Sequence, residues 1–272
     1  MPSLVRVEYY HDLDPMRPDA FERYMYRMGT FQKEYKLWKT VVLDSLTFTE
    51  LAARNREMHV LNPYPGQGSP YAKGSQFDTR QWHAGSTTAV EGAVITRFSG
   101  LPMNVVVCAH VHERQNELNG EILRGPWAPG RLSSRGLLCA AFQEQYHAYT
   151  YQTDKGVRGY AISTENDGQW ASTTQLKAPN PCYPDYEALW QNWKEETRPP
   201  IHVLVYSDTG TGKSTFASTF RKAGNMLVWC FDPKGKELPY MKGAKKVSDV
   251  QLLELPGAFG VVGVEYRDIY FE

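Results

Sequence analysis

The sequence predicts an α/β protein in which helices flank a mostly parallel central sheet. Several short runs, among them 40–44, 104–109 and 226–231, are continuously apolar, as is typical of parallel strands buried on both faces. Segments with apolar side chains at helical spacing separate these runs. A glycine-rich loop also links an apolar run to a helical segment. Together these observations indicate strands that alternate with helices.

The first half of the chain opens with a strand, a helix and a second strand. Apolar side chains at helical spacing, such as Phe21, Tyr24 and Met28, predict the first helix. Glycines and prolines prevent the segment 62–80 from holding a regular element, so we expect a long loop there. In order, we predict a strand at 5–10, a helix opening at 14–19, a strand at 40–44, a helix at 47–59, the loop at 62–80 and a helix at 86–98.

The second half of the chain continues the alternation. The third buried strand is expected to end at Ala109 and His110, and the polar segment 113–130 is a second candidate loop. We treat 1–272 as one domain, in which a linker at 195–200 joins the portions 1–194 and 201–272. The other predicted elements are an antiparallel strand–turn–strand extension at 145–175 with its turn at 166–168, a short helix at 186–194, a strand at 201–206, a helix from 213 to about 222, a strand at 226–231 and a β-rich run at 261–271.

Composition narrows the class of protein. Lys plus Arg and Asp plus Glu both total 30, so the formal net charge is zero and a nucleic-acid partner would need a local patch or loop. The four cysteines lack the spacing of a metal site, which favours free thiols in a reducing compartment. No apolar stretch approaches the ~20 residues that span a bilayer. We therefore expect a soluble, cytoplasmic protein without a membrane partner.

The segment 207–214 matches the phosphate loop of P-loop proteins, G-x-x-x-x-G-K-[ST], except that Ser207 replaces the first glycine. Small residues let backbone N–H groups surround a phosphate, and the following helix directs its N-terminus at the same anion. Lys213 is expected to bridge the β- and γ-phosphates of ATP, and the Ser214 hydroxyl to ligate Mg²⁺. The predicted nucleotide-binding residues are Ser207, Asp208, Thr209, Gly210, Thr211, Gly212, Lys213, Ser214 and Thr215, of which Thr215 lies beside the α-phosphate in such loops.

Two further polar residues stand at strand ends, where a P-loop site needs them. Asp44 closes the second strand and is predicted to hold Mg²⁺ together with Ser214; otherwise it only caps the next helix. His110, at the expected tip of the third strand, is predicted to lie near the γ-phosphate, where it would report hydrolysis. An isolated histidine is also a common structural residue, so both interpretations stay open.

The order of these parts is unusual, because Asp44 precedes Lys213 instead of following it. Joining Glu272 to Met1 would restore the usual order. It would also connect two strand-like runs, 264–271 and 4–10, as a hairpin, a place where new chain ends are tolerated. We therefore interpret the chain as a circular permutation with the former ends near 195–196.

In the restored order the chain resembles the phage-encoded RecA-like nucleotide-binding ATPases linked to single-strand annealing and recombination. The pieces that carry the resemblance are 203–217, 229–236, 40–47, 105–111, 129–132 and 177–181, which span most of the chain. The resemblance implies a RecA core in the host cytoplasm that assembles into rings or filaments, with ATP between subunits. It also implies that a neighbour's Lys or Arg completes each site, for which Lys177 is the first candidate and Arg158 the second.

Three functions remain open at this point. The first is an ATPase that binds single-stranded DNA through the two long loops. The second is a nucleotide-gated assembly protein with little turnover, which Ser45 favours because many ATPases place Glu after the metal-binding Asp; Asp232 and Glu237 also fit a catalytic base poorly. The third is a kinase of small acceptors, although no lid or acceptor pocket is recognisable. The aromatic and basic residues that suggest DNA binding are Tyr64, Tyr71, Lys73, Arg80, Trp82, Arg114, Arg124 and Trp127.

Overall fold

The structure is a computed structural model of the chain. It describes residues 4–12, 14, 16–31, 34–61, 80–98, 100–115, 120, 122–128, 137–232, 245–247 and 267–271. The predicted loop at 62–80 lies outside the described residues except for Arg80, as do Tyr64, Tyr71, Lys73 and Glu237.

The described residues form one ten-stranded sheet with helices on both faces. The strands are β1 (Leu4–Tyr9), β2 (Thr40–Asp44), β3 (Asn104–Gln115), β4 (Ile122–Pro126), β5 (Glu144–Gln152), β6 (Arg158–Ser163), β7 (His202–Ser207), β8 (Met226–Cys230), β9 (Lys245–Val247) and β10 (Arg267–Phe271). The helices are α1 (Ala20–Phe31), α2 (Leu46–Arg56), α3 (Arg80–Val90), α4 (Leu137–Ala140), α5 (Tyr186–Leu189) and α6 (Lys213–Ser218). Wider turns extend α2 to Leu61 and α3 to Thr96, and a 3₁₀ turn extends α6 to Ala223.

The strand order is β6-β5-β7-β3-β2-β8-β1-β10-β9, and β4 pairs with β3. The six strands from β5 to β1 are parallel to their neighbours. Antiparallel strands border them on both sides, with β6 on one side and β10 and β9 on the other. The predicted α/β architecture with a mostly parallel sheet and an antiparallel hairpin is therefore confirmed. Because these strands are parallel, the carboxyl ends of β7, β3, β2 and β8 lie at the same edge of the sheet.

Two apolar layers sandwich the sheet. One face packs under α1, α2 and α3 around Trp229, Tyr24 and Phe98, while the other packs under α5 and α6 around Phe216 and Trp190. Every residue of β2 and β8 is buried, which explains their continuous apolar runs.

The third strand is longer than its apolar run. Instead of ending at His110, β3 continues to Gln115 and pairs antiparallel with β4, so 113–115 and 122–126 of the predicted loop are strands. The prediction failed because the residues from His112 to Gln115 are polar. A hairpin that leaves one face in water does not need an apolar run.

Other local predictions need correction as well. Arg80 and Trp82 belong to α3, which begins earlier than the predicted helix 86–98. The hairpin of β5 and β6 turns at 153–157, whereas 166–168 forms a separate turn in which Asn166 Oδ1 accepts the N–H of Gly168. The predicted linker 195–200 contains a short 3₁₀ turn at Glu195–Thr197.

The strands nearest the two ends of the chain are neighbours in the sheet. β1 pairs antiparallel with β10, with register partners from Leu4–Phe271 to Glu8–Arg267. This pairing is the one expected for the runs that a join between the chain ends would connect.

Candidate functional site

The phosphate-loop segment links β7 to α6 at the carboxyl edge of the sheet. Gly210 and Gly212 have φ angles of 80° and 94°, in the left-handed region that favours glycine. Gly212 is also closely covered, because a Cβ atom there would lie 3.0 Å from Cδ1 of Tyr160. The backbone conformation thus explains why glycine stands at both of these positions of the sequence motif.

Ser207, which stands where the motif has its first glycine, is fully buried. Its hydroxyl forms a short hydrogen bond with the hydroxyl of Thr211, which in turn donates to the carbonyl of Asp208 at 2.8 Å. The serine fits because its side chain turns into the loop and has hydrogen-bond partners there. The substitution adds a contact within the loop that a glycine would lack.

The ammonium of Lys213 lies across the loop. Its Nζ donates to the carbonyl oxygens of Ser207 and Asp208 at 3.0 and 2.8 Å and to the Ser207 hydroxyl at 3.1 Å. Burial lowers the pKa of Lys213 below its ordinary value, against the opposing effect of nearby carboxylates. The side chain is thus held beside the loop backbone, in the place where a phosphate-binding cation is needed.

Asp44 reaches the loop from the end of β2. The Ser214 hydroxyl donates to Asp44 Oδ2 at 2.7 Å, although 170 positions separate the two residues. The contact follows from the sheet order, in which β3 alone separates β2 from β7. The backbone of Asp44 is fixed as well, since its carbonyl accepts the N–H of Phe231 at 2.6 Å. The two residues predicted to share a metal ion are therefore adjacent.

A cavity of about 230 Å³ opens between these elements. Residues from β2, β3, β6, the phosphate loop, α6 and the end of β8 surround it. The lining residues are Asp44, Ser45, His110, Tyr160, Thr209, Gly210, Gly212, Lys213, Ser214, Thr215 and Asp232. Most of the lining residues are polar, and they include the cation of Lys213 and the carboxylates of Asp44 and Asp232.

His110 lines this cavity from within β3. Its backbone N–H donates to the Thr47 hydroxyl at 3.2 Å, and its ring packs edge-on against Phe48. Burial, and secondarily the charge of Lys213, lower the pKa of His110 below its ordinary value, which favours the neutral ring. Its Nδ1 is a buried atom with no hydrogen-bond partner among the described residues, as is Ser45 Oγ. Two residues that line the cavity thus each keep one buried polar atom without a hydrogen-bond partner among the described residues.

Sequence reasoning missed three lining residues. Asp232 follows β8 and fits a catalytic base poorly by sequence alone, yet it lines the cavity with Asp44. The sequence marks Ser45 only as the residue after Asp44. Nothing in the sequence indicates Tyr160, because its contact with Gly212 depends on where the β5–β6 hairpin lies. The strand ends held a signal for Asp232, since parallel strands end at one edge.

The two residues proposed to act on a neighbouring subunit lie in different settings. Lys177 is exposed, with a φ of 57°, in the segment after β6 and outside the β5–β6 hairpin. Arg158 contacts its own chain: Nη2 donates to the carbonyl of Gly210 at 3.2 Å. Action in a neighbour's site stays a prediction for both.

Comparison with protein-family models, with curated proteins and with solved structures gave no match. Among the described residues, no helix combines the length and apolar character needed to cross a membrane. The same part of the chain holds no group of three or more His, Cys, Asp or Glu side chains arranged as a metal site.

Proposed function

We propose that the chain binds the triphosphate of ATP, with Mg²⁺, in the cavity beside Lys213. The observation that carries the proposal is the 2.7 Å contact between Ser214 and Asp44, next to the buried Lys213. A phosphate chain with bound magnesium needs a cation, a hydroxyl and a carboxylate around one glycine-rich loop. The cavity provides all three. Ser45 and His110 line the same cavity, and each keeps one buried polar atom without a hydrogen-bond partner among the described residues.

The residues present fit a magnesium ion. Mg²⁺ prefers oxygen ligands and is usually held by one or two carboxylates, water and substrate phosphates, so a cluster of several acidic side chains is not required. Asp44 and Ser214 supply such oxygens. When bound, the ion would neutralise charge on the β- and γ-phosphates.

We further propose that the protein hydrolyses ATP slowly. In this reaction water attacks the γ-phosphorus, the bond to the ADP oxygen breaks, and the water proton passes to a base or to the phosphate. Asp232 is our candidate for orienting that water, because it follows β8 and lines the same cavity, whereas Asp44 is assigned to the magnesium ion together with Ser214. His110, whose lowered pKa favours the neutral ring, adds a hydrogen-bonding group to the same cavity.

The wider role is also a proposal: a RecA-like ATPase that acts on single-stranded DNA during phage recombination and forms homo-oligomers. The resemblance of the sequence segments supports it. Of the two loops suggested for DNA contact, 62–79 lies outside the described residues. In the other, Arg124 pairs with Glu113 at 2.6 Å and packs over Trp170, which leaves its guanidinium less available for a phosphate.

A nucleotide-gated assembly protein with little turnover is the second candidate function. The observation that favours it is Ser45, which lines the cavity directly after Asp44 and brings no carboxylate. Steady-state ATP turnover with and without single-stranded DNA separates the two. Turnover stimulated by DNA supports the first candidate, and ATP binding without turnover supports the second.

The test of the site is Lys213→Ala. Loss of a charge-assisted contact of about 1.5–3 kcal/mol predicts that ATP affinity falls about tenfold or more, measured by calorimetric titration with Mg²⁺. Lys222→Ala is the matched control, because Lys222 lies in the same helical stretch but pairs with Asp185 on the surface. Full ATP affinity in Lys213→Ala would refute the proposed site.

Asp44→Asn tests the metal half of the site. It preserves the size of the side chain while removing the charge beside Ser214. We expect ATP binding to lose its dependence on Mg²⁺, measured by titrating ATP with Mg²⁺ and with EDTA. An unchanged magnesium dependence would show that the ion lies elsewhere.

A further inference from the structure

The β5–β6 hairpin presents one face to the phosphate loop. The antiparallel register places Ile162 opposite Ala148 and Tyr160 opposite Thr150, so these residues share a face. Ile162 and Ala148 belong to the apolar cluster that contains Phe216 of α6. Tyr160, two residues before Ile162 on the same face, therefore lies where α6 begins.

The ring of Tyr160 forms one side of the cavity beside Lys213. It lies against Gly212 and lines the cavity, and the residue is still 40% exposed. Packing in the core thus does not account for this aromatic side chain. A partly exposed aromatic residue that lines a cavity is suited to contact a flat ligand group.

Arg158 supports the ring from the same strand. Its guanidinium lies 5.7 Å from the centre of the Tyr160 ring and donates to the carbonyl of Gly210. Cation, ring and loop backbone are thus joined, so the ring is positioned before a ligand arrives. Such preorganisation reduces the conformational entropy that is lost when a ligand binds.

The strand order indicates how a triphosphate would be oriented in the cavity. His110, Asp44 and Asp232 reach it from β3, β2 and β8 on one side of β7, whereas β6 lies two strands away on the other side. The γ end of a bound triphosphate belongs with the magnesium-binding and water-orienting residues. The nucleoside end then points toward β6 and Tyr160.

We propose that Tyr160 stacks on the nucleobase and is the residue that distinguishes a nucleotide from a bare triphosphate. The inference rests on the proposed function, because it assigns the nucleoside end of the same site. Aromatic rings stack on any base, so Tyr160 would favour nucleotides over inorganic tripolyphosphate more strongly than it favours one base over another. Arg158 acts as a positioning residue for the ring.

Calorimetric titration with two probes, ATP and inorganic tripolyphosphate, both with Mg²⁺, tests the assignment. We expect Tyr160→Ala to weaken ATP binding about tenfold, as loss of one stacking contact predicts, and to change tripolyphosphate binding less than twofold. Tyr160→Phe keeps the ring and should bind ATP like the parent chain. Tyr151→Ala is the matched control, since Tyr151 is an equally accessible tyrosine (48% exposed) of the same hairpin that packs over Gly159.

The outcomes separate this inference from the proposed function. If the parent chain binds neither probe, the triphosphate site fails and the stacking role fails with it. If the parent chain binds both probes and Tyr160→Ala weakens them equally, Tyr160 only supports the loop and the inference is overturned. An unchanged ATP affinity in Tyr160→Ala, or an equal loss in Tyr151→Ala, also overturns it, while Lys213→Ala would still test the phosphate loop.

Discussion

At the residue scale, Ser207 shows how a departure from a motif changes a site. Its hydroxyl is one of three acceptors that hold the Lys213 ammonium within the loop. A bound phosphate has to draw that ammonium away from some of these acceptors. The serine therefore stabilises the loop without ligand at the expense of the loop with ligand.

Ser207→Gly should consequently tighten binding of ATP. Removal of one hydrogen bond of about 1 kcal/mol from the ligand-free loop predicts roughly fivefold higher affinity, measured by titration at constant Mg²⁺. Ser207→Ala removes the hydroxyl without adding backbone freedom, and it should give the same gain. Weaker binding in both variants would show instead that the bound loop needs the hydroxyl.

At the scale of elements, a buried ionic network fixes α1 to the sheet. Glu8 of β1 is 1% exposed and accepts from Arg27 of α1 at 2.8 Å and from the indole N–H of Trp229 of β8 at 3.0 Å. Arg6 and the hydroxyl of Tyr10 complete the shell around this carboxylate. Because burial makes an unpaired charge costly, each partner depends on the others.

Arg27→Met should therefore lower the free energy of unfolding by about 3–5 kcal/mol, measured by urea denaturation. Arg56→Met is the control, since the Arg56–Glu22 pair lies at the surface and is worth less than about 1 kcal/mol. Equal losses in the two variants would contradict the special role of the buried network.

The same scale explains which elements the sequence predicts. β2 and β8 are recognisable because burial on both faces requires apolar residues throughout. The β3–β4 extension is not recognisable from the sequence, because its residues show neither a continuous apolar run nor a regular alternation of apolar and polar side chains. The β5–β6 turn was misplaced since Asp154-Lys-Gly156 and Asn166-Asp-Gly168 are both turn signals, with glycines at φ 70° and 86°. Only the pairing of the strands decides between them.

At the scale of the whole molecule, topology assembles a site that the sequence divides. The sequence predicts that Asp44 and Lys213 meet, because Asp44 ends one buried strand and Lys213 lies in the loop after another, and the parallel sheet brings both to one edge. The contact of Tyr160 with the loop was not predictable in this way. It depends on how far the β5–β6 hairpin extends beside β7, which local sequence does not encode.

The antiparallel pairing of β1 with β10 leads to the prediction at this scale. Register partners Leu4 and Phe271 lie about 5 Å apart, so a short Gly/Ser linker of about six residues can join 272 to 1 without moving a strand. A rearranged chain with this join, opened within 195–200 outside the strands, should fold and bind MgATP within about twofold of the parent. Circular dichroism and calorimetric titration measure both properties.

A chain with the same join but opened between Val106 and Val107 is the control. That opening divides the buried part of β3, which lies between β2 and β7, so we expect it not to fold. If the chain opened at 195–200 also failed to fold, the two end strands would not be equivalent to a continuous hairpin, and the interpretation as a circular permutation would be wrong. If it folded but lost MgATP binding, the segment 195–200 would be needed to hold β7 and the phosphate loop in register with β3.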